Sequence, residues 1–123
     1  MSETYHTELL DISKQNDICV ISFRQASIGG IGEVEKIAEA LRGLIDGHDV
    51  FNLIVDFTNV SFFSSQMLGL LVDVWRRTKD RNGKLLISGI NPQLTRVFRI
   101  THLDKLFDFH ENTEAALSSL HTS

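Results

Sequence analysis

The chain has 123 residues, of which 42% are hydrophobic and 23% are charged, a composition typical of a folded protein rather than a disordered one. Its formal net charge of −4 gives no support for nucleic-acid binding, which usually needs a basic face. The N-terminus lacks the basic-then-apolar pattern of a signal peptide, and no apolar run approaches the roughly 20 residues of a membrane helix. We therefore expect one cytoplasmic domain over residues 1–123, without insertion in a membrane.

Two runs near the N-terminus predict a β-hairpin. Residues 7–14 alternate weakly, Gln-Asn-Asp at 15–17 is a turn signal, and residues 18–23 form a stronger, β-branched run. Cys19 lies in the second run, where we expect a small buried thiol. Because it is the only cysteine, no internal disulfide can form.

Helices then alternate with short apolar strands. Apolar residues recur at helical spacing over 34–45, after the glycine-rich residues 29–32, and residues 52–57 form a nearly continuous apolar strand. A second long helix follows and runs to about Arg81, and Ser64 and Ser65 are natural N-caps for it.

The C-terminal third repeats the same alternation. It contains a strand at 84–88, a short helix from Asn91, a strand at 106–110 and a last helix capped by Asn112. Strands joined through helices favour parallel pairing with right-handed crossovers. The sequence thus predicts an α/β fold, a mixed and mostly parallel central sheet of about five strands with about four helices.

The helix after Ser65 carries two neighbouring apolar stripes. Leu68, Leu71, Val72 and Trp75 form one stripe, and Met67, Leu70, Leu71 and Val74 form the other. One core-facing side rarely needs both, so part of the first two turns is a candidate exposed docking surface. The alternative is that neighbouring elements cover both stripes.

Other candidate sites are weaker. The cations Arg76, Arg77, Lys79, Arg81 and Lys84 either form a solvated helix end or dock an acidic partner. The five histidines show no metal-ligand spacing, and His102 with Asp104 would form a hydrolase triad with Ser65 only by chance. We expect neither a metal nor a cofactor, and we interpret Asp56 as an anchor for the loop that follows it.

Residues 55–109 resemble a STAS domain, the module of sulfate transporters and anti-sigma factor antagonists. The resemblance includes the strand ending in Asp56, the Val-Ser-Phe approach at 60–62, the serine turn with Leu68–Gly69, Gly83, and the helix from Pro92 to the Thr-His-Leu-Asp-Lys-Leu-Phe phrase. The order of elements agrees from Thr7 onward, so the resemblance spans nearly the whole chain.

The resemblance implies a phosphorylation site. Antagonists of this family carry Asp-Ser-Ser/Thr-Gly at the serine turn, and a kinase that is also the anti-sigma factor phosphorylates the first hydroxyl residue. On this sequence those four positions are Ser64, Ser65, Gln66 and Met67, so the acceptor matches and its three neighbours depart. Ser65 is the expected acceptor and Ser64 the alternative.

Three functional hypotheses follow. In the first, an anti-sigma factor serine kinase binds the Ser64–Ser65 turn, the following Gln66, Met67 and Leu68, and the loop around Gly30. Phosphorylation releases the kinase, a phosphatase resets the switch, and the chain itself is not an enzyme. In the second, the chain is a constitutive, non-phosphorylated STAS adaptor or a subunit of a transport complex. The third, a small hydrolase using Ser65, is the least supported.

Overall fold

The computed structural model describes residues 2–15, 17–47 and 52–121. Asn16, in the predicted turn, and His48, one of the five histidines, lie outside the described residues. The strands are β1 (Ser2–His6), β2 (Leu10–Gln15), β3 (Ile18–Phe23), β4 (Ser27–Ile28), β5 (Asn52–Asp56), β6 (Phe62–Phe63), β7 (Leu85–Ser88) and β8 (Asp108–His110). The helices are α1 (Ile31–Asp46), α2 (Ser65–Asp80), α3 (Pro92–Ile100) and α4 (Thr113–His121).

Six of the strands form one sheet in the order β1-β2-β3-β5-β7-β8. The pairs β1/β2 and β2/β3 are antiparallel, whereas β3/β5, β5/β7 and β7/β8 are parallel. The predicted α/β fold with a mixed, mostly parallel sheet is confirmed, and so is the hairpin of β2 and β3. The central sheet has one strand more than expected, because β1 adds an edge strand that the sequence did not indicate.

The two faces of the sheet are covered unequally. Side chains such as Cys19, Ile21 and Val55 point into the large core, which also contains the buried faces of α1, α2 and α3. On the other face Ile18, Ile54 and Leu86 form a small buried cluster with Ala116 of α4. This division follows from the strand geometry, in which successive side chains point to opposite faces.

Cys19 behaves as predicted from its apolar run. Its side chain is fully buried, and burial raises the pKa of the thiol to about 11, with Lys14 acting weakly in the opposite direction. The thiol is therefore neutral at physiological pH and serves as a small apolar core residue.

Candidate functional site

The second long helix begins where the sequence predicts, at the serine turn. Ser64 is the N-cap residue in an extended conformation, and Ser65 is the first residue of α2. Two phenylalanine contacts fix the approach to this turn. The ring of Phe63 lies 5.5 Å from that of Phe57 and 5.9 Å from that of Phe98, measured between centroids. The turn is thus held by core aromatic packing on its N-terminal side.

The two serines differ sharply in exposure. Ser65 is exposed, whereas the hydroxyl oxygen of Ser64 is buried and has no hydrogen-bond partner. The prediction that Ser64 caps α2 with its side chain is wrong, since only its carbonyl oxygen is used and accepts from the Met67 N–H at 3.0 Å. The hydroxyl accessible to another protein at this turn is that of Ser65.

The glycine-rich loop lies beside the serine turn. β4 and β6 pair in parallel, and the N–H of Ser64 donates to the carbonyl of Ile28 at 2.9 Å. Gly30 is exposed and is the N-cap of α1, and its N–H donates to the carboxylate of Glu33 at 3.0 Å. The starts of α1 and α2 are therefore connected through the short β4–β6 pair.

Of the two alternatives for the apolar stripes of α2, the structure shows the covered one. Met67 is fully buried and Leu68 is 7% exposed, so the side chains of these two proposed partner-binding residues lie in the core. Neighbouring elements cover both apolar stripes, because α2 packs against α1 on one side and against β7 on the other. Gln66, by contrast, is exposed beside Ser65.

Phe62 is an exposed aromatic residue, three positions before Ser65, that was not among the predicted site residues. Phe62 is 54% exposed, although its neighbour Phe63 is buried. The sequence carries no local signal for this exposure, because the two-residue strand β6, in which Phe62 and Phe63 point to opposite faces, exists only through its pairing with β4.

Asp56 anchors the end of β5, in agreement with the predicted structural role. Its carboxylate accepts hydrogen bonds from the hydroxyls of Thr58, at 2.7 Å, and Ser88, at 3.0 Å. Gly89 follows with a positive φ of 67°, and a β-carbon there would collide with Thr58 and Asp56. The carboxylate thus orders the loop that leads to the serine turn.

The remaining candidates do not assemble around Ser65. His102 and Asp104 lie in the turn after α3, where their N–H groups donate to the carbonyls of Arg99 and Phe98. Among the described residues, no group of three or more His, Cys, Asp or Glu side chains is arranged to hold a metal ion. No helix in the described ranges is long and apolar enough to cross a membrane.

Known proteins resemble this chain in sequence. Residues 10–116 match the STAS domain family. An anti-sigma-B factor antagonist of Staphylococcus aureus (strain NCTC 8325 / PS 47) is 30% identical in a match that covers 75% of this chain and 87% of the relative.

Two solved structures share the fold. An anti-sigma-factor antagonist (STAS) domain protein from Planctomyces limnophilus superposes with a TM-score of 0.80 at 26% identity, covering 89% of this chain and 95% of that one. The phosphorylated form of the Bacillus cell fate determinant SpoIIAA superposes with a TM-score of 0.73 at 20% identity, covering 90% and 98%. The chain therefore belongs to the STAS domain family, in its anti-sigma factor antagonist branch.

Proposed function

We propose that this protein binds an anti-sigma factor that is also a serine kinase, and that phosphorylation of Ser65 by that kinase ends the complex. A phosphatase that acts on the phosphoserine restores binding. The chain itself catalyses no step, and the switch operates in the cytoplasm. The relative from Staphylococcus aureus is named for antagonism of an anti-sigma factor, which supports this class of partner.

The contrast between the two serines carries the proposal. Ser65 is exposed at the first position of α2, and the hydroxyl of Ser64 is enclosed by its own fold. A kinase must bring the acceptor oxygen to the γ-phosphate of its nucleotide, which is possible for an exposed hydroxyl only. Ser65 is accordingly our acceptor, and the burial of its neighbour argues against Ser64.

The fold tolerates a phosphate at this position. A phosphoserine carries about −1.5 to −2 charges, and the first turn of α2 contains no acidic residue that would repel it. The N–H groups at a helix start favour an anion. A partner packed over the same position would have to bury that charge, which costs several kcal/mol, or on the order of a hundredfold or more in affinity.

The departures from the family motif do not obstruct this mechanism. Met67 stands where the family motif has glycine, but its side chain points into the core and therefore does not hinder a kinase at the surface of the turn. Ser65 and Gln66, together with Gly30 of the neighbouring loop, are exposed and small or polar.

The decisive experiment measures binding of the purified anti-sigma factor kinases of the source organism to the native chain and to Ser65→Asp and Ser65→Ala. We expect Ser65→Asp to weaken binding about a hundredfold, and Ser65→Ala to bind as the native chain does but to accept no phosphate. The melting temperature of Ser65→Asp should not fall, because an acidic residue at a helix start is favourable by about 0.3–1 kcal/mol.

Asn82→Asp is the matched control. Asn82 is exposed just beyond the C-terminal end of α2, with a φ of 62° that asparagine and aspartate tolerate. It adds the same charge at the opposite end of the helix and should leave kinase binding unchanged. Equal affinity of Ser65→Asp and the native chain for the kinase would contradict the switch.

A constitutive STAS adaptor or transport-complex subunit is the second candidate. Ser64, Gln66 and Met67, which stand where the family motif has other residues, favour it. It requires a stable complex isolated from native cells with no phosphate on Ser65, which mass spectrometry of the isolated protein would reveal.

A further inference from the structure

Two segments without charge meet next to Ser65. Residues 25–32 and 57–72 contain no Asp, Glu, Lys, Arg or His, although charged residues make up 23% of the chain. The first segment includes β4 and the second includes β6, and the parallel pairing of these strands joins the segments in space. Ser65 lies within the second segment, so the surface around the proposed phosphorylation site draws no charge from either segment.

Phe62 projects where these two segments meet, and the carboxylate next to the adjoining loop is that of Glu33, which accepts from the N–H groups of Gly29 and Gly30. In the described part of the chain, Phe62 and Ile100 are the two large apolar side chains that are more exposed than buried, at 54% and 67%. A β-carbon on Gly29 would lie 3.4 Å from Cε2 of Phe62, so the phenylalanine ring lies over the backbone of the glycine-rich loop.

Rigid neighbours hold the ring in place. The N–H of Phe62 donates to the carbonyl of Ala26 at 3.2 Å, and the next residue, Phe63, is packed into the core. A phenylalanine on such a support loses little conformational freedom when a second protein covers it. Preorganised aromatic side chains of this kind are the usual energetic centres of protein interfaces, whose buried cores are also depleted in charge.

We propose that Phe62 is the apolar anchor of this protein's interface with its anti-sigma factor, and that it inserts into an uncharged, apolar recess on that partner. The inference rests on the proposed function. We assign this surface to the kinase rather than to a second copy of the chain. Ser65, the first residue of α2, lies three residues after Phe62 and has to reach the kinase active site.

This arrangement makes the affinity for the partner sensitive to phosphorylation of Ser65. The phosphorylated serine brings a double negative charge to a surface whose two component segments have none, beside the side chain that the partner has to desolvate. Neither segment offers a lysine or arginine that would neutralise the phosphate. The partner recess therefore faces an unpaired charge, and the complex opens.

The test compares Phe62→Ala with Ile100→Ala, because the second variant removes a similarly exposed apolar side chain from α3. Binding of each purified full-length variant to the purified anti-sigma factor kinase of the source organism is measured by titration calorimetry. We expect Phe62→Ala to raise Kd about 10-fold to 100-fold and Ile100→Ala to leave it unchanged. Both melting temperatures should stay within about 5 °C of the native value.

The outcomes separate the two proposals. If the native chain binds the kinase and Phe62→Ala binds equally well, the anchor is wrong and the proposed function survives. If the native chain binds no such kinase, the proposed function fails and the anchor fails with it. A native dimer in sedimentation velocity that Phe62→Ala dissociates and Ile100→Ala preserves would assign the surface to a second copy and overturn the inference.

Discussion

The two ends of α2 differ in their charged side chains. At the C-terminal end Asp73, Arg77 and Lys79 are engaged within the fold. Arg77 contacts Asp73 at 3.2 Å and Asp46 at 3.7 Å, Arg42 of α1 reaches the same Asp73 at 3.3 Å, and Lys79 lies 4.9 Å from the ring of Trp75. At the N-terminal end there is no charged side chain in the first turn, and Ser65 faces solvent.

This difference separates the charged side chains that make contacts within the fold from the exposed positions that a partner can contact. Arg77, one of the basic residues considered for docking an acidic partner, is engaged with Asp73 and Asp46 of its own chain. The N-terminal end has no such internal compensation, so an added charge there changes the surface rather than the packing. The comparison predicts that substitutions at the two ends affect different properties.

The largest effect on the free energy of unfolding is expected at Met67, whose side chain enters the core from the N-terminal end of α2. Met67→Gly, which introduces the glycine of the family motif, should lower the free energy of unfolding by about 4 kcal/mol, through lost burial, a cavity and a less favourable helix residue. The exposed neighbour supplies the control, since Gln66→Gly should cost only about 1 kcal/mol. Urea denaturation measures both, and equal losses would mean that position 67 contributes nothing through burial.

A smaller effect is expected at the charged end. Asp73→Asn removes the carboxylate that contacts both Arg42 and Arg77, and we expect a loss of about 1 kcal/mol because the side chain is one-third exposed. The loss should shrink in 1 M salt, where charges are screened. Asp80→Asn, at the last residue of α2, should cause no loss, because a carboxylate at a helix C-terminus is unfavourable. A loss for Asp73→Asn that is unchanged by salt would argue against an ionic origin.

The smallest effect is expected at the N-cap of α2. Ser64→Ala should change the free energy of unfolding by less than about 0.5 kcal/mol, because the Ser64 hydroxyl caps no N–H and has no partner. Asn112→Ala should cost about 1 kcal/mol, since its side-chain oxygen accepts from the N–H of Ala115 at 2.8 Å. Thermal unfolding compares the two caps, and a larger loss at Ser64 would contradict the unpartnered hydroxyl.

Elements whose signal is local could be predicted from the sequence. The apolar spacing of α1 and α2 reflects burial of one face of each helix, and the short apolar runs of β5 and β7 reflect burial on both faces of the sheet. The strand β1 could not be predicted, because Ser2–His6 carries mostly polar residues and is a strand through backbone pairing with β2. The two-residue strands β4 and β6 likewise exist only through a contact between distant segments.

The candidate site could be predicted in position but not in its exposed surface. The capping residues predicted that a helix starts at Ser64 and Ser65, and the binding hypothesis placed the loop around Gly30 beside them; α2 does begin there, and β4 and β6 bring the two segments together. Whether Met67 and Leu68 are covered depends on how α1 and β7 pack around α2, which no local pattern reports. The exposure of the Phe62 side chain likewise depends on how distant segments pack together.

The small cluster beneath α4 has a consequence for how the chain opens. Ala116 is the fully buried residue that this helix contributes, and Leu117 and Leu120 are only partly buried against Ile18, Ile54 and Leu86. Few apolar contacts mean a low free energy of local opening. We therefore expect the amide protons of α4 to exchange with solvent faster than those of the strands and helices that hold the serine turn on the opposite face.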